Sequence, residues 1–434
     1  MVKLKSISLE HSYQQIFSFF SPIRLLKMTF HQPNSWLKLM LLTISVAILL
    51  CLTMNLAYAS NDQPADLLHE AISLMTCYGF ENVNAFVTSD TLSVEYENRI
   101  YFREKDAIGI IIPKLLDALP TIQTLVLIPK KDNAPLFQIT ILRDEYQAFG
   151  AKEKDALDTL NISPIISRPI YEEKSYNSSF GKIDVTVYPF INIALGRFND
   201  PFIPYYSISP EASIFWGNGI RSLARVQFLL YDELKKKKRS VVIDGLYISY
   251  TYRKTALKTI NFSAGYFGMN RYGLSSEAIL FGWGSNMGIG GSAACLGNIY
   301  YFDDVIYYTK IWNWTALLDL YYRLPSYRIL LSAKFGRFLH QDNGVFVEAI
   351  RYFDNISMGV FSTNTDQGYA VGLRLQFLTY PRRNMKPYYV RPKLPTLIKT
   401  EYRDNESIVG TKFSPQYNDF DNNAYTFWLM DLRP

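Results

Sequence analysis

The sequence predicts a mainly β chain: a transmembrane antiparallel β-barrel preceded by a small α+β domain. Three observations predict it. The first is period-two alternation. In Gly368 to Leu378, Tyr369, Val371, Leu373, Leu375 and Phe377 fall on one side of an extended strand, with Gly372, Arg374 and Gln376 on the other. The second is recurrence. Ile329, Leu331, Ala333 and Phe335 oppose Leu330, Ser332, Lys334 and Gly336. Ile260, Phe262, Ala264 and Tyr266 oppose Asn261, Ser263 and Gly265. Leu246, Ile248, Tyr250 and Tyr252 oppose Tyr247, Ser249, Thr251 and Arg253. One such strand also suits a soluble sandwich, whereas repeated segments of about ten residues, apolar one way and polar or glycine the other, mark a transmembrane barrel. The third is composition. With 32 Tyr, 28 Phe and only 19% charged residues, the chain has the material for aromatic girdles at two membrane interfaces. A large secreted β-sandwich shares that composition, so the alternation carries the argument.

The N-terminus holds the one long apolar run. Lys38 precedes Leu39–Met54, and Ala57-x-Ala59 follows as an A-x-A cleavage site, so residues 1–59 read as a signal peptide. Translation from Met28 would give a more ordinary leader, which makes 1–27 a suspected mis-called start. Cys51 follows Leu50 rather than a small residue and reads as part of the apolar core of the signal. The mature chain keeps Cys77 and Cys295, in different expected domains. No disulfide and no metal site is expected from them.

Residues 60–150 form the expected α+β domain, placed in the periplasm. Pro64 opens a helical pattern through Leu67, Leu68, Ile72 and Met75, and Gly79 stands where a C-terminal cap belongs. Two short strands, Val83–Thr88 and Leu92–Tyr96, join through Ser89-Asp90. A helix over Lys105–Leu119 buries Ile108, Ile111, Ile112, Leu115, Leu116 and Leu119, with Pro113 as a candidate kink. Leu125–Pro129 and Leu136–Leu142 then pair across Lys131-Asp132-Asn133. Residues 151–175 are polar and aperiodic and read as a linker.

Residues 176–434 supply the barrel. Turn chemistry recurs at Asn199-Asp200-Pro201, Asn218-Gly219, Asp342-Asn343-Gly344 and Asp354-Asn355. About 250 residues at about 20 per strand and turn give about 12 strands, with about 10 to 14 open, because bacterial barrels prefer even numbers. The strands of 381–421, rich in Pro, Arg and Asn, are not assigned, and Tyr425–Met430 is a plausible closing strand.

Charged residues inside strands are costly against lipid. Glu277, Lys334, Glu348 and Arg374, with Gln376, are therefore placed on the lumen wall. They either pair to hold a narrow barrel shut or, with tyrosines, offer a surface to sugar chains. The run Lys235-Lys236-Lys237-Lys238-Arg239 reads as a solvated loop or as a patch for lipopolysaccharide phosphates or an acidic polysaccharide. The net charge of +6 is mild, and no nucleic-acid partner is expected. A hydrolase would have to use His340 with Asp342, residues whose plainer role is turn polarity. Gly282–Gly291 lacks the Lys and Ser/Thr ending of a phosphate loop, and its glycines read as relief of crowding on strands. The chain is expected to be no enzyme and to carry no cofactor.

Several runs resemble one family. Tyr188-Pro189-Phe190 with Leu195-Gly196-Arg197-Phe198-Asn199-Asp200-Pro201-Phe202 is similar to the YjbH-like outer-membrane barrel family of exopolysaccharide and group 4 capsule systems. So are Gly336-Arg337-Phe338-Leu339 with Asp342 and Gly344, and Arg351-Tyr352-Phe353-Asp354-Asn355 with Gly359, Thr363, Thr365 and Asp366. In the first domain, Gly79-Phe80-Glu81-Asn82-Val83 and Tyr96-Glu97-Asn98-Arg99 point the same way. The resemblance implies an outer-membrane component of polysaccharide assembly and export in a Gram-negative bacterium. Its partners would be lipid, polysaccharide and other export proteins. It implies no active-site residue. A general porin and a surface-binding or adhesion barrel are the alternatives. Tyr96, Glu97, Arg99 and Tyr101 are the expected face on which the first domain docks a periplasmic partner.

Overall fold

The computed structural model of the chain describes residues 66–101, 104–149, 161–163, 175–195, 202–232, 241–255, 258–268, 270–282, 285–302, 305–353, 356–378, 388–393, 395, 397–403 and 408–415. The expected signal peptide, most of 151–175, the basic run at 235–239, Asn199-Asp200-Pro201, Asp354-Asn355 and Tyr425–Met430 lie outside the described residues.

The first domain contains α1 (Asp66–Cys77), β1 (Glu81–Thr88), β2 (Thr91–Glu97), α2 (Glu104–Ala118), β3 (Thr124–Lys131), β4 (Ala134–Pro135), β5 (Gln138–Leu142), α3 (Arg143–Phe149) and β6 (Asn161–Ser163). The strands form one sheet in the order β1-β2-β3-β5-β6, with β4 on β3. β2 and β3 are parallel, and α2 makes the crossover that a parallel pair needs. α2 buries Ala107, Ile108, Ile111, Ile112, Leu115 and Leu116 and runs through Pro113. Gly79 takes the expected left-handed turn after α1 (φ 91°).

Two elements escape local pattern. β6 lies in the stretch read as linker; three residues are too short to show a period, and their pairing with β5 makes the strand. α3 is barely two turns long. Its first residue, Arg143, caps the end of α2 by donating to the carbonyls of Leu116 (3.0 Å), Leu119 (2.6 Å) and Ile122 (2.6 Å).

The rest of the described chain is strand. It contributes β7 (Ile183–Leu195), β8 (Phe202–Gly217), β9 (Ile220–Asp232), β10 (Val241–Thr255), β11 (Lys258–Gly268), β12 (Arg271–Phe281), β13 (Met287–Phe302), β14 (Val305–Tyr308) and β15 (Asn313–Leu324). After a 3₁₀ turn at Pro325–Tyr327 come β16 (Ile329–Arg337), β17 (Asn343–Tyr352), β18 (Ile356–Thr365), β19 (Gly368–Leu378), β20 (Val390–Lys393) and β21 (Leu397–Arg403).

They build one 15-stranded sheet in the order β20-β7-β8-β9-β10-β11-β12-β13-β15-β16-β17-β18-β19-β21, with β14 on β13. The count exceeds the expected dozen because β14 is a short extension and β20 and β21 fall in the unassigned 381–421 stretch. Every pairing is antiparallel except that of β20 with β7. The two edge strands are separated in sequence only by residues 394–396, and β21 also lies against β7. At Asn218-Gly219 both residues take positive φ (47° and 79°), joining β8 to β9 as expected. A Cβ at Gly219 would fall 2.2 Å from the Thr251 carbonyl oxygen.

The polarity of this sheet is the reverse of a soluble one. In β15, Trp314, Leu318, Leu320 and Tyr322 are exposed, while Asn313, Thr315, Asp319 and Arg323 are buried. The four alternating segments read from sequence keep their expected faces: Leu373, Phe335, Phe262 and Ile248 are exposed, and Gln376, Lys334, Ser263 and Ser249 are buried. Room on the covered face is made by the glycines of β13. A Cβ at Gly288 would meet the Phe281 ring at 2.4 Å, and one at Gly290 the Tyr321 ring at 3.0 Å. No helix among the described residues is long and apolar enough to cross a membrane. Cys77 and Cys295 are free and exposed.

Candidate functional site

The residues expected on the lumen wall all lie on the covered face, each held by a partner of opposite charge or matching polarity. Arg374 on β19 pairs with Glu348 on β17 and with Glu401 on β21 (2.9 Å), and Arg403 pairs with the other oxygen of Glu401 at 2.6 Å. Both guanidiniums lie over the Phe361 ring, at 5.8 and 5.1 Å from its centroid. Lys334 on β16 reaches Asp319 on β15 at 3.2 Å, and the Tyr321 hydroxyl donates to the same carboxylate oxygen at 3.0 Å. The Ser357 hydroxyl donates to Gln376 Oε1 at 2.6 Å. Glu277 on β12 accepts from Lys412 at 2.7 Å. Of the expected residues, Glu348 and Arg374 meet each other.

A further cluster was missed. Arg225 on β9 is almost wholly buried between Glu211 and Asp244, at 3.0 Å from each. Its position two residues before Gln227, on the face opposite Phe228, was the available signal. Paired in this way, buried charges fill and rigidify the covered face.

The expected docking face is corrected by burial. Tyr96 and Glu97 are 0% and 1% exposed and Tyr101 is 8% exposed, so the face is turned inward. The Phe80 ring packs edge-on against Tyr96 (5.1 Å between centroids) and stacks on Tyr101 at 5.9 Å. Arg99 reaches Glu97 (2.6 Å), Asp132 and Asp184 (both 3.7 Å) and Glu81 (3.9 Å). Around it, Lys182 pairs with Glu81 (2.7 Å), Arg221 with Asp132 (2.6 Å) and Lys393 with Asp184 (2.8 Å). Arg391 bridges Glu81 and Asp184. Burial alone would raise the Asp132 carboxyl, but Arg221 and Arg99 hold it well below the usual carboxylate range.

This network joins the first domain to the large sheet. Ile279, Phe281, Tyr321, Leu330, Ile350 and Tyr352 of the sheet share one apolar cluster with the core of the domain. The domain is therefore seated over one end of the strands, where β12 and β17 finish and β16 begins.

The turn after β16 also departs from expectation. Gln341 takes the left-handed conformation (φ 70°), and Asn343 and Gly344 of the expected turn already open β17. Asp342 is fully buried and its Oδ2 accepts the Gly410 N–H at 2.6 Å. One oxygen of the carboxylate considered with His340 is thus bonded to the backbone. Burial and then Arg271 lower the His340 imidazole below its ordinary value, against the pull of Asp342. Among the described residues no group of three or more His, Cys, Asp and Glu side chains is placed to hold a metal ion.

A family model described as exopolysaccharide biosynthesis protein YbjH matches residues 55–370, which takes in the first domain and the large sheet from β7 to the start of β19. No curated protein matches the chain. With an inside-out sheet, a seated α+β domain and a family match over most of its length, the chain belongs to the YjbH family of exopolysaccharide biosynthesis proteins.

Proposed function

We propose that the chain is a non-enzymatic outer-membrane β-barrel that serves exopolysaccharide or capsule assembly and export, with its first domain on the periplasmic side. The observation that carries this reading is the inverted polarity of the large sheet. Leu318, Leu373, Ile248 and Leu246 are about half or more exposed, at 49%, 53%, 58% and 59%, while Arg225, Arg323 and Asp319 are buried on the other face. Leaving such a band against water would be costly, and lipid is the solvent that suits it. Exposed aromatics add two belts. Trp216, Tyr252, Tyr322 and Tyr327 stand at the strand ends nearest the first domain, and Tyr231, Trp314 and Tyr369 stand at the opposite ends. Strands of 9 to 16 residues, such as β16 and β8, are long enough to span.

Closure of the barrel is part of the proposal, and parity supports it. β20 and β21 follow one another across residues 394–396, so they act as one strand that pairs β7 with its first half and β19 with its second. Seven strands from β7 to β13, five from β15 to β19 and this joined strand make thirteen. An odd, otherwise antiparallel barrel needs one parallel neighbour pair, and β7–β20 is parallel. Closure leaves no unpaired edge in the hydrocarbon.

The paired charges of the covered face and the domain seated over one end favour a filled interior over a porin's open one. Deleting the gene should abolish or sharply reduce cell-surface polysaccharide, restored by the wild-type chain. Unchanged surface polymer together with lost small-solute conductance would refute the reading in favour of a porin.

A further inference from the structure

Beyond β21 the chain turns onto the covered face of the sheet. The Gly410 N–H donates to Asp342 (2.6 Å), and the Leu339 N–H donates to the Thr411 carbonyl at 3.0 Å. Arg403 donates to the Val409 carbonyl at 2.9 Å, and Lys412 to Glu277 at 2.7 Å. The Phe413 ring packs edge-on against Phe267 (5.4 Å) in a cluster with Tyr247, Leu296 and Leu339. A Cβ on Gly410 would fall 1.9 Å from a carbon of Thr363.

These contacts come from four neighbouring strands, β10 to β13, and from β18, four places further along the sheet. A segment that touches covered side chains on all of them lies across the space the sheet encloses. Leu339 and Asp342 place it at the end away from the first domain. It belongs to no strand of the ladder, and the bonds named above, the Lys412–Glu277 ion pair and the Phe413 ring hold it without a run of ladder hydrogen bonds. Segments held in this way open at far lower free energy than the strands around them.

We propose that residues 408–415 are a removable plug, sealing the barrel interior at the end opposite the first domain, with Lys412–Glu277 and Phe413 as its latch. The inference rests on the barrel reading. The domain closes one mouth and the plug the other, so any passage through the interior requires the plug to withdraw.

The test places a Thr363→Cys reporter under the plug in a chain carrying Cys77→Ser and Cys295→Ser. Labelling by a membrane-impermeant maleimide is measured in reconstituted vesicles, with gel migration before and after heating as the fold control. With the plug intact, labelling should be slow. Lys412→Ala with Phe413→Ala should speed it at least about tenfold, and Lys412→Arg should keep it slow. Hydrogen exchange on the unmodified protein is the second readout. The amides of 408–415 should exchange together, and at least about tenfold faster than those of β10 and β18. Equal labelling with and without the latch in a heat-shifting protein, or exchange as slow as the strands, would overturn the plug alone. A parent protein with no heat-dependent shift would overturn the barrel reading and the plug with it.

Discussion

Replacing Glu81 by Gln should loosen the first domain from the sheet. The Glu81 carboxylate is fully buried, lies 2.7 Å from Lys182 and 3.9 Å from Arg99, and pairs with Arg391. Glutamine keeps the shape and removes the charge, which leaves Lys182 without its carboxylate and Arg391 with Asp184 alone. Two unit charges about 4 Å apart interact with about 4 kcal/mol at an effective dielectric of about 20. Uncompensated buried charges cost about 3–5 kcal/mol in practice. That is a large share of the roughly 5–15 kcal/mol that stabilises a whole domain. Trp216 provides a local probe, because it packs edge-on against Phe180 at 6.4 Å, close to the junction, and the first domain has no tryptophan of its own. Urea titration of the micelle-bound protein, followed by tryptophan fluorescence, should show an early junction transition in the variant. Adding Lys182→Met should recover part of the loss, because a neutral pair avoids the stranded charge. A Glu81→Gln cost below about 1 kcal/mol, the size of a solvent-exposed pair, would refute a sealed junction.

Leu373→Arg should destabilise the inserted barrel by about 2–4 kcal/mol if the residue faces lipid near the midplane, while Leu373→Ile should cost less than about 1 kcal/mol. Equal folding yields of the two variants into vesicles would mean that the face is misassigned. Gln376→Ala, which removes the acceptor of the Ser357 hydroxyl, should cost about 1 kcal/mol by the same assay, and no loss would deny the bond a role. Glu104 should make the first domain pH-sensitive. Burial raises its carboxyl to about 7 from 4.5, opposed by hydrogen bonds from Tyr96 and Asn98. Its contribution is full below the unfolded value and is lost as pH rises through about 7. The ceiling is about 3 kcal/mol, and about 1–2 kcal/mol is expected for a half-buried residue. The urea midpoint should therefore be higher at about pH 5 than at about pH 8, and Glu104→Gln should flatten that difference.

The two faces of the sheet were legible because strand alternation is local: Leu246 to Arg253 states both walls within eight residues. The first domain was legible for the same reason, since the burial of α2 repeats along its own sequence. What escaped depends on partners distant in the chain. Tyr96 to Tyr101 looks like a polar, solvated edge until Asp184, Arg221 and Arg391 arrive from later strands. β20 and β21 sit among Pro, Arg and Asn, with no apolar period to announce them, and pairing with β7 and β19 defines them. The closing strand expected at Tyr425–Met430 lies outside the described residues. Lys412 was invisible as a partner of Glu277 because 135 residues separate them.

The central claim is that the exposed apolar face of the large sheet is covered by lipid. It is tested most directly by gel migration of the mature protein recovered from carbonate-washed outer membranes, unheated against boiled. The account predicts that the protein stays with the membrane and runs faster unheated, because a closed barrel has no free edge from which to unravel. Complete release into the soluble periplasmic fraction, with identical migration before and after boiling, would contradict it.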